Sequence, residues 1–204
     1  MANSRQLVEC IAEVTQFPLS AVVGYMRSLR EAEPNLVTSG GRGITAPRMT
    51  ARDAAALYCA VYASRSIQDS ASVVLELIKL EARQQGRRRA PPYEYYHRHG
   101  LPPVTLGLGR NHTVIDGLGA AIDFFMKEHE IGVDYAMWRG RGKKFGIYAN
   151  FEVRSPELSA SLTLGVRGDH SEEWIYGRRG ELDSLHKGQC TEITLRKIAA
   201  CLKA

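Results

Sequence analysis

Apolar residues near the start of the chain recur at helical spacing. Leu7, Ile11 and Val14 fall at i, i+4 and i+7 behind the capping candidate Asn3, and Val22, Met26 and Leu29 repeat that spacing after a break at Thr15-Gln16-Phe17. Pro18 suits the first turn of the second helix, where its missing N–H is no loss, and Pro34 limits that helix to about Ala32. Leu36-Val37, the glycine-rich Thr38-Ser39-Gly40-Gly41-Arg42-Gly43 and Ala46-Pro47-Arg48 predict two short strands around a hairpin. A Thr50-x-x-Asp53 capping box then opens a helix from Ala51 to about Ala63, and Ser70 is the expected cap of another that carries Val74, Leu77, Ile78 and Leu80.

Residues 90–103, with two Pro-Pro pairs and Tyr93, Tyr95 and Tyr96, read as a connection. Beyond it, a second capping box, Thr113-x-x-Asp116, starts a helix marked by Ile115, Leu118, Ile122 and Met126 and ending near His129. Strict alternation follows. Phe145, Ile147, Ala149, Phe151 and Val153, then Leu158, Ala160, Leu162, Leu164 and Val166, predict a hairpin with one buried face turning at Ser155-Pro156-Glu157. Trp174-Ile175-Tyr176 adds a strand, and Leu195, Ile198, Ala199 and Leu202 predict a short C-terminal helix over the sheet. The pattern gives an α+β fold with a mostly helical unit over residues 1–64, a helix and a basic, proline-rich connection over 65–103, and an α+β unit over 104–204 built on an antiparallel hairpin with flanking helices.

Composition narrows the classes of function. The 204 residues are 44% hydrophobic and 24% charged, an ordinary globular balance. No apolar run approaches the ~20 residues of a membrane span and the first residues lack a secretory core, so a soluble, cytoplasmic protein without a membrane partner is expected. The four cysteines share no C-x-x-C spacing, and reduced, mostly buried thiols are expected. The six histidines match no metal-ligand pattern and are expected at the surface. Gly107-Leu108-Gly109-Arg110 lacks both the dinucleotide fingerprint and the Lys-Ser/Thr ending of a phosphate loop. With no nucleophile beside a readable base, the sequence predicts no catalytic residue, metal or cofactor, and a protein that is not an enzyme.

The net charge of +5 is local, since residues 65–89 hold six basic groups against three acidic ones. Arg87-Arg88-Arg89 and the run from Arg139 to Lys144 are basic stretches in segments whose glycines indicate loops or helix ends, suited to phosphate. On the second helix, Ser20, Gly24, Arg27 and Glu31 lie opposite the apolar stripe. A helix fits the major groove, where arginine hydrogen-bonds guanine and hydroxyl or backbone groups hold phosphate. Gln16, Ser20, Gly24 and Arg27 are the expected reading surface, with Arg42 and Arg48 on the hairpin reaching backbone or minor groove.

The segment Ile11-Ala12-Glu13-Val14-Thr15-Gln16-Phe17-Pro18-Leu19-Ser20, followed by Val22 and Leu29, resembles the helix-turn-helix of bacterial regulators. Ala12 sits where the helices cross, Ser20 where a polar residue faces DNA, and Gln16 where many such motifs have glycine. The hairpin around Gly40-Gly41-Arg42-Gly43 and the helix from Thr50 are similar to the winged arrangement of the mercury-resistance regulator family. That resemblance implies a winged helix-turn-helix at the N-terminus and a sequence-specific, double-stranded-DNA-binding transcriptional regulator, of the size and style carried by phages or other mobile elements. Reading a quasi-palindromic site implies a homodimer, with the C-terminal unit pairing subunits or receiving a protein partner or ligand. Two alternatives remain open at this level: an architectural or packaging protein that binds DNA without preference, and a non-enzymatic protein-interaction module.

Overall fold

The computed structural model describes residues 2–40, 47–84, 106–109, 111–127, 139–140, 143–144, 147–155, 158–166, 171–177 and 186–204. Four helices come first: α1 (Ser4–Thr15), α2 (Leu19–Glu31), α3 (Ala51–Ala63) and α4 (Ser70–Lys79). After β1 (Ala82–Gln84) comes α5 (Val114–Lys127). The strands β2 (Arg139–Gly140), β3 (Lys143–Lys144), β4 (Ile147–Ser155), β5 (Ser159–Val166), β6 (Ser171–Tyr176) and β7 (His186–Thr191) precede the last helix, α6 (Glu192–Lys203). The fold is α+β.

The main sheet is antiparallel throughout, in the order β1-β6-β5-β4-β7. Alternation along β4 and β5 sends Ile147, Ala149, Phe151, Val153, Ala160, Leu162 and Leu164 into the core, and Asn150, Glu152, Arg154, Ser161 and Thr163 to the opposite face. Among the described residues β2 and β3 pair with each other, so Arg139 and Lys144 stand across a short antiparallel ladder rather than in a loop or at a helix end.

Helix α3 is the centre of the molecule. Nearly every residue from Asp53 to Ala63 is buried, as befits a helix apolar on all sides. Its first turn lies close to α5, where a Cβ on Gly119 would be in van der Waals contact with the Cα of Arg52 at 3.4 Å. On another side, Tyr58 donates its hydroxyl to the Gln189 carbonyl at 2.9 Å, and Tyr62 fills the space where Gly188 lacks a side chain. These contacts cover the edge strand β7. One continuous core runs from Ala2 and Leu7 through α3 to Leu195 and Leu202.

Local capping follows the sequence at three helices. Asn3 with Gln6, Thr50 with Asp53, and Thr113 with Asp116 each form reciprocal boxes. At α4 the cap position falls on Asp69 instead of Ser70, whose hydroxyl is engaged with Ser28 at 2.9 Å and the Ile67 carbonyl at 2.6 Å.

The expected wing strands are also corrected. The described flanks, Leu36–Gly40 and Pro47–Thr50, form no strand because their backbone donors have other partners. Leu36 N–H donates to the Leu29 carbonyl at 3.0 Å, Thr38 N–H to the Asp53 carboxylate at 2.7 Å, and Met49 N–H to the Ala2 carbonyl at 2.9 Å. The centre of that hairpin, the 90–103 connection and the Pro156-Glu157 turn lie outside the described residues. No helix among the described residues is long and apolar enough to cross a membrane.

Candidate nucleic-acid interface

The α1–α2 pair is fixed by its inner stripe and by an unusual turn. Leu7, Val8 and Ile11 of α1 and Val22, Tyr25, Met26 and Leu29 of α2 are buried. Thr15 closes α1 by donating its hydroxyl to the Ile11 carbonyl at 2.6 Å. Gln16 then takes the left-handed conformation, φ 60°, at the position where glycine is the usual helix stop. Its side-chain amide donates to the Glu13 carbonyl at 2.6 Å, supplying a local partner for a conformation that costs non-glycine residues energy. Phe17 packs edge-on against Tyr62, with ring centroids 5.9 Å apart.

This turn leaves residues 16–20 all exposed at the start of α2. Pro18 caps the helix without a side-chain hydrogen bond, and its first turn holds no acidic residue. Ala21 N–H turns back to the Pro18 carbonyl at 3.0 Å, so the positive dipole end that faces outward is at the exposed Leu19-Ser20, the arrangement that attracts phosphate. Gln16, Ser20 and Arg27 lie on exposed positions of this turn and helix, and Arg48 is exposed on the segment entering α3.

Gly24 is a correction: it faces the rest of the chain, where a Cβ would come 2.7 Å from the Ile67 side chain. The Ser20-Gly24-Ser28 line is covered from its middle onward, since Ser28 accepts from Ser70. The open face is instead the adjacent line Leu19-Val23-Arg27. Arg42 and Arg87-Arg88-Arg89 lie outside the described residues.

Leu19 and Val23, 49% and 46% exposed, are the side chains that sequence reasoning missed. With Val8 and Met26 they line a groove of about 510 Å³ between α1 and α2, whose charged residues are of both signs, Arg5, Arg27 and Arg30 with Glu9 and Glu31. The Nε of Arg30 is buried there without a hydrogen-bond partner. Helical spacing alone gives the signal for such residues: Leu19, Val23 and Arg27 are successive i, i+4 positions on a face separate from the Val22-Met26-Leu29 stripe.

Two further polar sites lie elsewhere in the fold. The outer sheet face holds a cavity of about 290 Å³ lined by Asn150, Glu152, Arg154, Ser161, Thr163 and Glu173. His112, expected at the surface, is buried: Nδ1 lies 2.6 Å from the Gly109 carbonyl and Nε2 2.9 Å from the Tyr176 hydroxyl. Nδ1–H therefore donates to the carbonyl and Nε2 accepts from the phenol, tying the segment before α5 to β6. Burial pushes the Tyr176 phenol well above its ordinary range, and the neighbouring Asp116 charge adds to that. Burial of the Asp116 carboxyl opposes its ionisation, but hydrogen bonds from Thr113 and the Arg52 guanidinium outweigh it and hold Asp116 below the usual carboxylate range.

No protein-family model, curated protein or solved structure matches this chain.

Proposed function

We propose that this chain is a sequence-specific, double-stranded-DNA-binding transcriptional regulator that presents the start of α2 to the major groove and acts as a homodimer. The observation that carries this reading is the exposed 16–20 tip, which puts an uncapped helix N-terminus without acidic residues beside Ser20, with Arg27 two turns further along the open face. Ser20 and the helix N-terminus suit phosphate, and Arg27 suits the acceptor pair of guanine. Arg48 belongs to the backbone-positioning set.

The test is binding of the full chain to random and genomic duplex pools at two salt concentrations. Salt-dependent enrichment of a few sequences is the expected result. On the selected site, Arg27→Ala is expected to lose about 1–3 kcal/mol and relax base preference, whereas Arg48→Ala weakens all sequences alike. Binding without preference would point to an architectural protein, and absence of binding at low salt would overturn the proposal.

A second reading draws on the groove floored by Val8, Leu19, Val23 and Met26. Exposed apolar side chains beside arginines also suit a protein segment, as in a non-enzymatic interaction module. Partner binding that is insensitive to salt and lost in Val23→Asp would favour it.

A further inference from the structure

Of the four cysteines, Cys10 and Cys201, far apart in sequence, are brought together where α1 packs on α6. Cys59 on α3 and Cys190 on β7 are both fully buried in the core. Cys10 on α1 and Cys201 on α6 are only half-buried. Their seating is reciprocal. The Cys10 thiol lies 3.9 Å from the Lys197 carbonyl, one helical turn before Cys201, and the Cys201 thiol lies 3.5 Å from the Gln6 carbonyl, one turn before Cys10. Each sulfur thus rests on the turn that carries the other.

We propose that Cys10 and Cys201 are a redox modification site, forming a reversible intramolecular disulfide that staples α1 to α6. The oxidant is a low-molecular-weight disulfide such as oxidised glutathione. A thiolate of one cysteine attacks it, forming a mixed disulfide and releasing one glutathione thiolate. The second cysteine, deprotonated in turn, attacks the protein sulfur of that mixed disulfide and releases the other glutathione. The two cysteines lose two electrons and two protons, and the oxidant leaves as two thiols.

The surroundings set the speed. Burial, then the Cys201 thiol and Glu13, push Cys10 up to about 12, with Lys197 pulling the other way. Cys201 is also raised, by burial and by Glu13 and Glu9, but its hydrogen bond with Cys10 acts in the opposite direction. Burial disfavours both thiolates, so the staple forms slowly at neutral pH and faster as the pH rises.

The full chain is incubated with oxidised glutathione at mildly alkaline pH, then alkylated in denaturant and mapped by mass spectrometry. The expected product has a Cys10–Cys201 linked peptide within one chain and no disulfide between chains, Cys59 and Cys190 unmodified by glutathione, and a Tm raised by roughly 5 °C or more. Dithiothreitol reverses both changes. In Cys10→Ser, and in Cys201→Ala as an independent variant, the crosslink and the Tm rise are lost and the remaining thiol holds a stable glutathione adduct. Wild-type chain that ends as stable adducts at Cys10 or Cys201, as intermolecular dimers, or with both thiols unreacted would overturn the proposal.

Discussion

Asp53 holds two segments with one carboxylate. It is 4% exposed and accepts from the Thr50 N–H and hydroxyl at 2.7 and 2.8 Å, closing the capping box of α3. It also accepts from the Thr38 N–H at 2.7 Å and from the Thr38 hydroxyl at 2.9 Å. Asp53→Ala removes the acceptor for all four donors, and the expected loss is about 2–4 kcal/mol, read as a lower denaturant midpoint at unchanged slope. A loss within a few tenths of a kcal/mol would mean that water replaces the carboxylate. The Thr50 half of this arrangement was legible because its partners lie within one turn. The Thr38 half was not, since a hydrogen bond spanning 15 residues leaves no periodic trace. Gln16 sits between these cases: its place in the turn was readable, while its left-handed backbone and its amide bond to Glu13 needed coordinates.

Elements whose apolar spacing is regular were legible almost to their ends. The periodic segments of α1, α2, α3 and α5 became helices, and the alternating run became β4 and β5. Elements defined by their neighbours were not. β1 is three residues long and exists through pairing with Trp174, Ile175 and Tyr176, and β7, His-Lys-Gly-Gln-Cys-Thr, has too few apolar side chains to alternate. The candidate reading surface shows the same division. Arg27 and Ser20 were recognisable as polar positions on an amphipathic helix, but the cover of Gly24 by Ile67 comes from a segment more than 40 residues away, and it moves the open face to Leu19 and Val23.

The docking of α5 on β6 gives a prediction at this scale. A Cβ on Gly117 would occupy the space of the Tyr176 hydroxyl, which His112 holds in place. Glycine costs a helix about 1 kcal/mol relative to alanine, so Gly117 is retained in this packing against a local penalty. Gly117→Ala is expected to destabilise the fold by about 1–3 kcal/mol through overpacking. In a Tyr176→Phe background the same change is expected to become neutral or stabilising, because the obstructing oxygen is gone. A double-mutant cycle by chemical denaturation measures the coupling, and additive effects would contradict the contact.

At the scale of the whole molecule, the ends of the described chain meet. Ala2 is fully buried, its N–H donates to the Leu202 carbonyl at 3.2 Å, and its own carbonyl accepts from Met49. Helices α1 and α6 thus lie side by side although they are the first and last elements, and their packing joins the helical and sheet parts in one core. Local periodicity gave each helix its buried stripe but carried no information about which distant stripe it meets.

This adjacency decides how the molecule bears mechanical load. A force applied between residues 2 and 202 acts at two neighbouring points on one side of the core, so contacts are peeled in succession instead of being sheared together. Stretched from these ends in an optical trap, the reduced chain is expected to release α1 and α6 first, as a separate low-force extension step before the sheet gives way. A single cooperative rupture with no early step would show that the terminal helices are held as strongly as α3. Once Cys10 and Cys201 are joined, the load bypasses most of the chain, and that early step should shrink to the few residues outside the crosslink.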